Sequence, residues 1–265
     1  MPVLPGGSHH IAKGHTMKTV LITGTSSGYG RETALYFHSQ GWNVIATMRT
    51  PRPDLLPDSD RIRVVELDVT KPESITAAFE AAGPIDVLVN NAGVPSISVF
   101  EGTPMARVRE VFETNTFGVM ATTQAVLPQF RERGSGVVIN VTSSVVLGHM
   151  PLSAVYKASK IAIEGFTSSL ALELAPFGVQ AKTVEPGACL TTNFAARATN
   201  GGTLDALVPA PYAAFVQKTM DDFTGQDVFT KESDVAETVW RAAHDTTGQL
   251  RFPAGPDAVW LAQAK

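Results

Sequence analysis

Cysteine is almost missing from this sequence. Cys189 is the single one among 265 residues, so neither an intrachain disulfide framework nor a cysteine-built zinc site can form. That scarcity fits a reducing compartment, and a cytoplasmic location is the expectation. An excess of charge of one sign is missing too. Lys and Arg total 21 against 25 Asp and Glu, and a net charge of -4 offers no general attraction to nucleic acid or to an anionic lipid surface. No uninterrupted apolar run approaches the ~18 residues of a membrane-spanning helix, so no membrane contact is expected. Internal repeats, charge blocks and interdomain linkers are likewise lacking. Three of the histidines, His9, His10 and His15, stand in a tail without acidic or cysteine partners, so no metal site is expected there or elsewhere.

What is present is an ordinary globular balance, 44% hydrophobic and 17% charged, in a chain long enough for a substantial core. Residues 1–16 are rich in Pro, Gly and His, lack periodicity, and read as a leader or tail ahead of a single domain over 17–265.

From Lys18 onward, short β-branched runs alternate with helical patterns. Lys18–Thr23 has the composition of a strand buried on both faces. Gly24, Thr25, Ser26, Ser27, Gly28, Tyr29 and Gly30 follow it and lead into a helical pattern. Glycines let a backbone approach a pyrophosphate closely, and the free amides and dipole of a helix start favour negative charge, so this turn predicts dinucleotide binding. The second strand, Asn43–Met48, ends at Arg49. An acidic residue here would hold the adenosine ribose 2′-hydroxyl, whereas a basic one suits a 2′-phosphate, so Arg49 favours NADP over NAD, with hydroxyls of Thr25, Ser26 and Thr47 as helpers. A third strand over Arg61–Leu67 closes at Asp68 and Val69, where Asp68 either faces adenine or caps the next helix. A fourth over Ile85–Val89 runs into Asn90-Asn91-Ala92-Gly93. There the amides tie neighbouring backbones together while Gly93 admits a cofactor.

A long helical pattern spans Met105–Arg133 with Asn115 inside it, a residue disfavoured there unless its amide has a partner. A fifth strand, Val137–Val141, ends in Thr142-Ser143-Ser144, placing Ser143 where open α/β sheets bind ligands. A helix from Val155 to about Ala175 then carries Tyr156 and Lys160. Four residues apart, the phenol and the ammonium share one helix face, and a nearby cation favours the phenolate form of a group whose ordinary pKa is ~10. A sixth strand, Gly178–Val184, ends in Glu185-Pro186-Gly187. From 188 to about 229 no clean strand is visible, although Phe194, Leu204, Leu207, Tyr212, Phe215, Met220 and Phe223 recur; the segment reads as a substrate lid. Lys231–His244 is the last helical pattern and Gln249–Pro253 a short final strand.

Strands alternating with helices around a glycine turn imply a doubly wound parallel sheet, a Rossmann-type α/β fold in one domain. The set Thr23-Gly24-Thr25-Ser26-Ser27-Gly28-Tyr29-Gly30, Asn90-Asn91-Ala92-Gly93, Asn115, Ser143, Tyr156 to Lys160 and Pro186-Gly187 resembles the short-chain dehydrogenase/reductase family, in its shorter branch. The pieces occur in family order, and Ser143 stands 13 residues before Tyr156. The resemblance implies an oxidoreductase moving hydride between nicotinamide and a carbonyl or secondary alcohol. It makes Tyr156 the general acid or base, with Lys160 lowering its pKa and binding the nicotinamide ribose. Ser143 would hold the substrate oxygen, and Asn115 a water linking Lys160 to solvent. It puts Asp68 and Val69 at adenine, Asn91, Ala92 and Gly93 at the ribose side, and Pro186, Gly187 and Thr191 near carboxamide or phosphates. It also implies a homodimer or homotetramer. Departures are visible: Ser27 stands where NADP-preferring members often carry a basic residue, which leaves the preference to Arg49. Val145, His149, Cys189 and Phe194 are candidate pocket residues, the walls are mostly apolar, and a bulky ketone fits better than a charged sugar. The end of the second strand has a hydroxysteroid or retinol dehydrogenase flavour. Two other readings remain open, a cofactor sensor or scaffold without turnover and a sugar epimerase or dehydratase relative.

Overall fold

The apolar runs become strands because their β-branched side chains can be covered on both faces, and the computed structural model supplies both covers. It describes residues 17–191, 208–225 and 227–264. Seven strands are formed: β1 (Thr19–Thr23), β2 (Asn43–Met48), β3 (Ile62–Glu66), β4 (Val87–Asn90), β5 (Gly136–Val141), β6 (Val179–Pro186) and β7 (Arg251–Ala254). All pair in parallel, in the order β3-β2-β1-β4-β5-β6-β7. The order reverses between β1 and β4, so their carboxyl ends open a crevice at the switch point.

Alternating side chains divide the core. Val20, Ile22, Val44, Ala46, Val89 and Val184 point to one face, beneath α1 (Gly28–Ser39) and a helix over Glu232–His244. Leu21, Ile45, Leu88, Val138 and Ala181 point to the other, beneath α2 (Pro72–Ala82), α4 (Gly118–Arg133) and α5 (Ala154–Leu174). Phe37, Trp42 and Trp240 meet edge to face, with centroids 5.0–5.6 Å apart, and fasten α1 to the Glu232–His244 helix. Among the described residues no helix is long and apolar enough to cross a membrane.

The expected long helix over Met105–Arg133 is divided. α3 (Met105–Phe112) gives way to a wide π turn over Glu113–Phe117 before α4 begins. The reason is Asn115. Its amide exchanges hydrogen bonds with both backbone groups of Val94 instead of pointing outward, and a one-turn widening accommodates this. In the segment read as a loop-rich lid, Ala213–Thr224 forms a helix, α6, with Val216 buried on its inner side. Phe194 and residues 192–207 of that segment lie outside the described residues, as do 1–16. The Glu232–His244 helix is therefore α7, and α8 (Pro256–Gln263) follows β7, a helix the sequence pattern did not announce.

Candidate active site

The site is built where β1, β4, β5 and β6 end. After β1, Gly24 adopts φ +74°, which a β-carbon disfavours, and the amides of Gly24 and Thr25 both donate to Thr47 O at 3.0 Å. Gly30 is as constrained: a β-carbon there would come within 2.3 Å of Asn91 Nδ2 and 2.4 Å of Gly24 O. The turn therefore closes against β4. Ser27 occupies the N-cap of the twelve-residue α1 but makes no side-chain cap, so its side chain leaves the first amides of the helix uncapped. Gly28 and Arg31 line a cavity of about 790 Å³ that continues to Cys189, Leu190, Thr191 and Thr230. An uncapped helix start suits an anionic group, while Arg31 Nε is bonded to Leu55 O and Glu32, Asp227 and Glu232 line the same cavity, so the backbone of the turn and not the cavity's side chains would hold a pyrophosphate.

Two expected helpers are turned away from that space. Thr25 and Thr47 are fully buried, and their hydroxyls donate to Thr47 O and Ile22 O. They stitch β1 to β2 and are not available to a phosphate. Ser26 and Ser27 stay half-buried, and Arg49 is exposed at the end of β2. Asp68 accepts from the amide and hydroxyl of Thr70, so its side chain closes the β3–α2 turn. Burial opposes its charge, but those bonds, with Lys71 and Arg49 nearby, outweigh it and hold the carboxyl below its ordinary range. Val69 is buried against Gly118. The side-chain amide of Asn91 is spent on Thr23 O and Gly24 O, and the backbone amides of Asn91 and Ala92 both donate to Thr23 Oγ1, so this segment is tied to the end of β1. Tyr29 reaches across from α1 to donate to Gly187 O at 2.9 Å, linking the glycine turn to the end of β6.

The reaction centre gathers around Gly93. A β-carbon there would sit 3.2 Å from Asn115 Oδ1 and 3.6 Å from Lys160 Nζ, so both polar atoms face the space the glycine leaves. Asn115 also donates to Ser159 Oγ, at 3.1 Å, which clips the π turn to α5. Lys160 Nζ donates to Val141 O at 3.0 Å and lies 5.8 Å from the centre of the Tyr156 ring. Ser143, two residues beyond the end of β5, hydrogen-bonds the Tyr156 phenol. Leu152, at φ 60°, turns the chain in a left-handed step just before α5, an arrangement costing roughly 1–3 kcal/mol and typical of constrained sites.

The electrostatics depart from expectation in one respect. Burial pushes the Tyr156 phenol well above its ordinary value, against the lowering effect of the Ser143 bond. Burial also pulls the Lys160 ammonium down to about 8, with Glu164 acting the other way. Lys160 does not bring the phenol into the neutral range here, because both groups are desolvated together and the ammonium is directed at Val141 O.

Among the pocket candidates, Val145 is buried beside Ser143, and His149 is exposed on the loop before α5. Cys189 lies 3.1 Å from Thr191 Oγ1, and Thr191 donates to Glu232 at 2.7 Å, facing the start of α7. Several residues of this region carried no sequence signal. Asp257 accepts the Ala188 amide and bonds Thr230, whose own amide donates to Ala188 O; these contacts span about 27 to 69 positions and fix the segment after β6. Glu164 did carry one, since it continues the four-residue spacing of Tyr156 and Lys160.

A glycine-lined crevice at a sheet's switch point, with a Tyr, a Lys and a Ser at its far end, defines a nicotinamide-type oxidoreductase. A model of the short chain dehydrogenase family matches residues 18–201. The chain belongs to that family, and hence to the NAD(P)-dependent dehydrogenases and reductases. It is 36% identical over 254 residues to the uncharacterized oxidoreductase YusZ of Bacillus subtilis, covering 90% of this chain and 89% of that one. It is 39% identical over 188 residues to bovine retinol dehydrogenase 8, covering 66% of this chain but 60% of that protein. A short-chain dehydrogenase from Streptomyces avermitilis superimposes with a TM-score of 0.79 at 34% identity, over 94% of this chain and 92% of that one.

Proposed function

We propose that this protein is an NADPH-preferring reductase of bulky, apolar ketones, or the dehydrogenase of the matching secondary alcohols. The observation that carries the reading is that Asn115 and Lys160 meet at Gly93 while Ser143 bonds the Tyr156 phenol, whose ring lies 5.8 Å from Lys160 Nζ, in a fold whose glycine turn leaves the start of α1 without a side-chain cap. The bound cofactor supplies or accepts the hydride; the chain's own residues handle the proton and the charge. Ser143 and Tyr156 donate to the substrate oxygen, where negative charge grows as hydride arrives, so they act most strongly at the top of the barrier. A phenol that burial keeps protonated is a donor ready for carbonyl reduction. Lys160 holds a positive charge next to it and offers further N–H donors to a ribose.

NADPH is favoured by exposed Arg49 at the end of β2, where no acidic side chain follows Met48 to claim a 2′-hydroxyl. An apolar substrate is favoured by buried Val145 and Leu147 beside Ser143, and by the likeness to a protein named for retinol. A homodimer or homotetramer is favoured by the groove of Phe117, Met120, Leu127, Phe166 and Leu170 on the outer face of α4 and α5, and light scattering should return a multiple of the chain mass. The deciding experiment follows the absorbance of reduced cofactor with NADPH or NADH over ketones of graded size. The expected result is turnover that is faster with NADPH and rises with apolar bulk. Tight cofactor binding without turnover of any carbonyl would instead favour a sensor.

A further inference from the structure

Behind the reaction centre lies a second polar cluster to which the reading above gives no task. Tyr156, Lys160 and Glu164 succeed one another at four-residue steps on one face of α5. Glu164 accepts the Thr142 hydroxyl at 2.6 Å and the Thr183 hydroxyl at 3.3 Å. Arg251 Nε, on β7, stands 3.4 Å from Glu164 and 2.5 Å from Glu185. Glu185 is fully buried, and its second oxygen has no hydrogen-bond partner among the described residues. Two carboxylates packed together, Glu185 fully buried and Glu164 largely so, with a half-exposed guanidinium as their shared partner, are expensive to maintain. The place of the cluster suggests its use. Thr142 sits between Val141, whose carbonyl receives the Lys160 ammonium, and Ser143, which bonds the Tyr156 phenol.

We propose that Glu164, steadied by Arg251, is a positioning residue that grips the end of β5 through Thr142 and supplies the negative charge that keeps Lys160 an ammonium. This rests on the roles assigned to Lys160 and Ser143 above. The surroundings of Lys160 agree. Tyr156 and Glu164 face it from α5, and uncharged Asn115 and the backbones of Gly93 and Val141 face it from the π turn, the β4 loop and β5. Glu185 and Arg251 act on it through Glu164. Glu164 is the acidic group whose charge opposes the effect of burial on Lys160.

The test reads Lys160 directly, by NMR of protein carrying isotope-labelled lysine side chains, with the signal assigned by its loss in Lys160→Met. Glu164→Gln should lower the titration midpoint of Lys160 by roughly 0.5–1 pH unit, and Glu164→Asp, which keeps the charge, should restore most of it. Arg251→Gln, made at a half-exposed side chain, should move the midpoint upward. Where a ketone is turned over, the alkaline limb of the kcat/KM profile should move with the midpoint, while cofactor affinity below pH ~7 stays near wild type. A midpoint unmoved in folded Glu164→Gln, or unmoved in Arg251→Gln should Glu164→Gln fail to fold, overturns the proposal. Because the NMR measurement needs no turnover, an inactive wild type would refute the reductase reading and still leave the link between Glu164 and Lys160 decided.

Discussion

Tyr156 is 7% exposed, and its hydroxyl has Ser143 beside it. Removing that hydroxyl deletes the proton donor while leaving the ring to fill the same space. Tyr156→Phe should therefore keep its unfolding midpoint and cofactor affinity but lose ~10²–10⁴-fold in kcat, measured by consumption of reduced cofactor. A rate within a few-fold of wild type would remove the phenol from the mechanism. Arg49 makes a different kind of contribution. It is exposed, and the Asp68 carboxyl that its charge favours is held by Thr70 and Lys71 as well, so its deletion should cost the fold little. A charge-assisted contact to a 2′-phosphate is worth about 1.5–3 kcal/mol, so Arg49→Ala should weaken NADPH roughly 10–100-fold in a binding titration and NADH hardly at all. Equal losses for both cofactors would place the 2′-phosphate elsewhere. The placement of both side chains was legible in the sequence, because one stands at a strand end and the other at a helical spacing from Lys160. Thr25 and Thr47 were misread as phosphate helpers for a related reason: hydroxyl position along a strand does not reveal whether the side chain turns inward to a carbonyl.

Elements meet at this site through buried polar links as well as through apolar packing. Asn90, at the end of β4, donates to Thr123 Oγ1 and Asn140 Oδ1 and accepts from Thr122, and Asn140 in turn donates to Thr167. One chain of bonds thus ties β4 and β5 to α4 and α5, the helix that carries Tyr156 and Lys160. Asn90→Ala would leave several buried partners unsatisfied at once. It should lower stability by about 2–4 kcal/mol in urea unfolding, well beyond the loss of a single exposed hydrogen bond. A change below ~1 kcal/mol would mean that water replaces the amide. The element pattern was largely readable: six of the strand ends and the Tyr-bearing helix follow from periodicity and turn residues. The π turn around Asn115 and the helix after β7 were not. A widened turn depends on a partner 21 positions away at Val94, and local periodicity contains no trace of it.

For the molecule as a whole, the buried ammonium of Lys160 makes stability depend on pH. Its value is about 8 when folded, against 10.5 when exposed. Below about pH 8 both states carry the proton and the folded state bears the full cost of burying it. Between there and 10.5 the folded state has released the proton while the unfolded state keeps it, so stability rises with pH. From about pH 7 to 9.5 the gain from this group is on the order of 2 kcal/mol, read as a shift in urea midpoint that wild type shows and Lys160→Met lacks. The window stops short of the phenol range because Tyr29 and Tyr156 act in the opposite sense: burial raises both, and the stability they contribute is lost as pH climbs beyond ~10. An identical pH response in the two proteins would mean that Lys160 is hydrated in the folded chain.

By itself the sequence determined the alternation of strands and helices, the glycine turn, and the chemical types of the reacting groups, because these depend on residue identity and on spacings of a few positions. The tertiary structure decided which of those groups share one space. Lys160 meets Val141 and Gly93 across 19 and 67 positions, Asp257 fixes Ala188 across 69, and Arg251 reaches Glu164 and Glu185 from the far edge of the sheet. It also decided that burial governs the phenol and the ammonium more strongly than their nearness to each other does. Desolvation is a property of everything packed around a group, and a linear string of residues does not contain it.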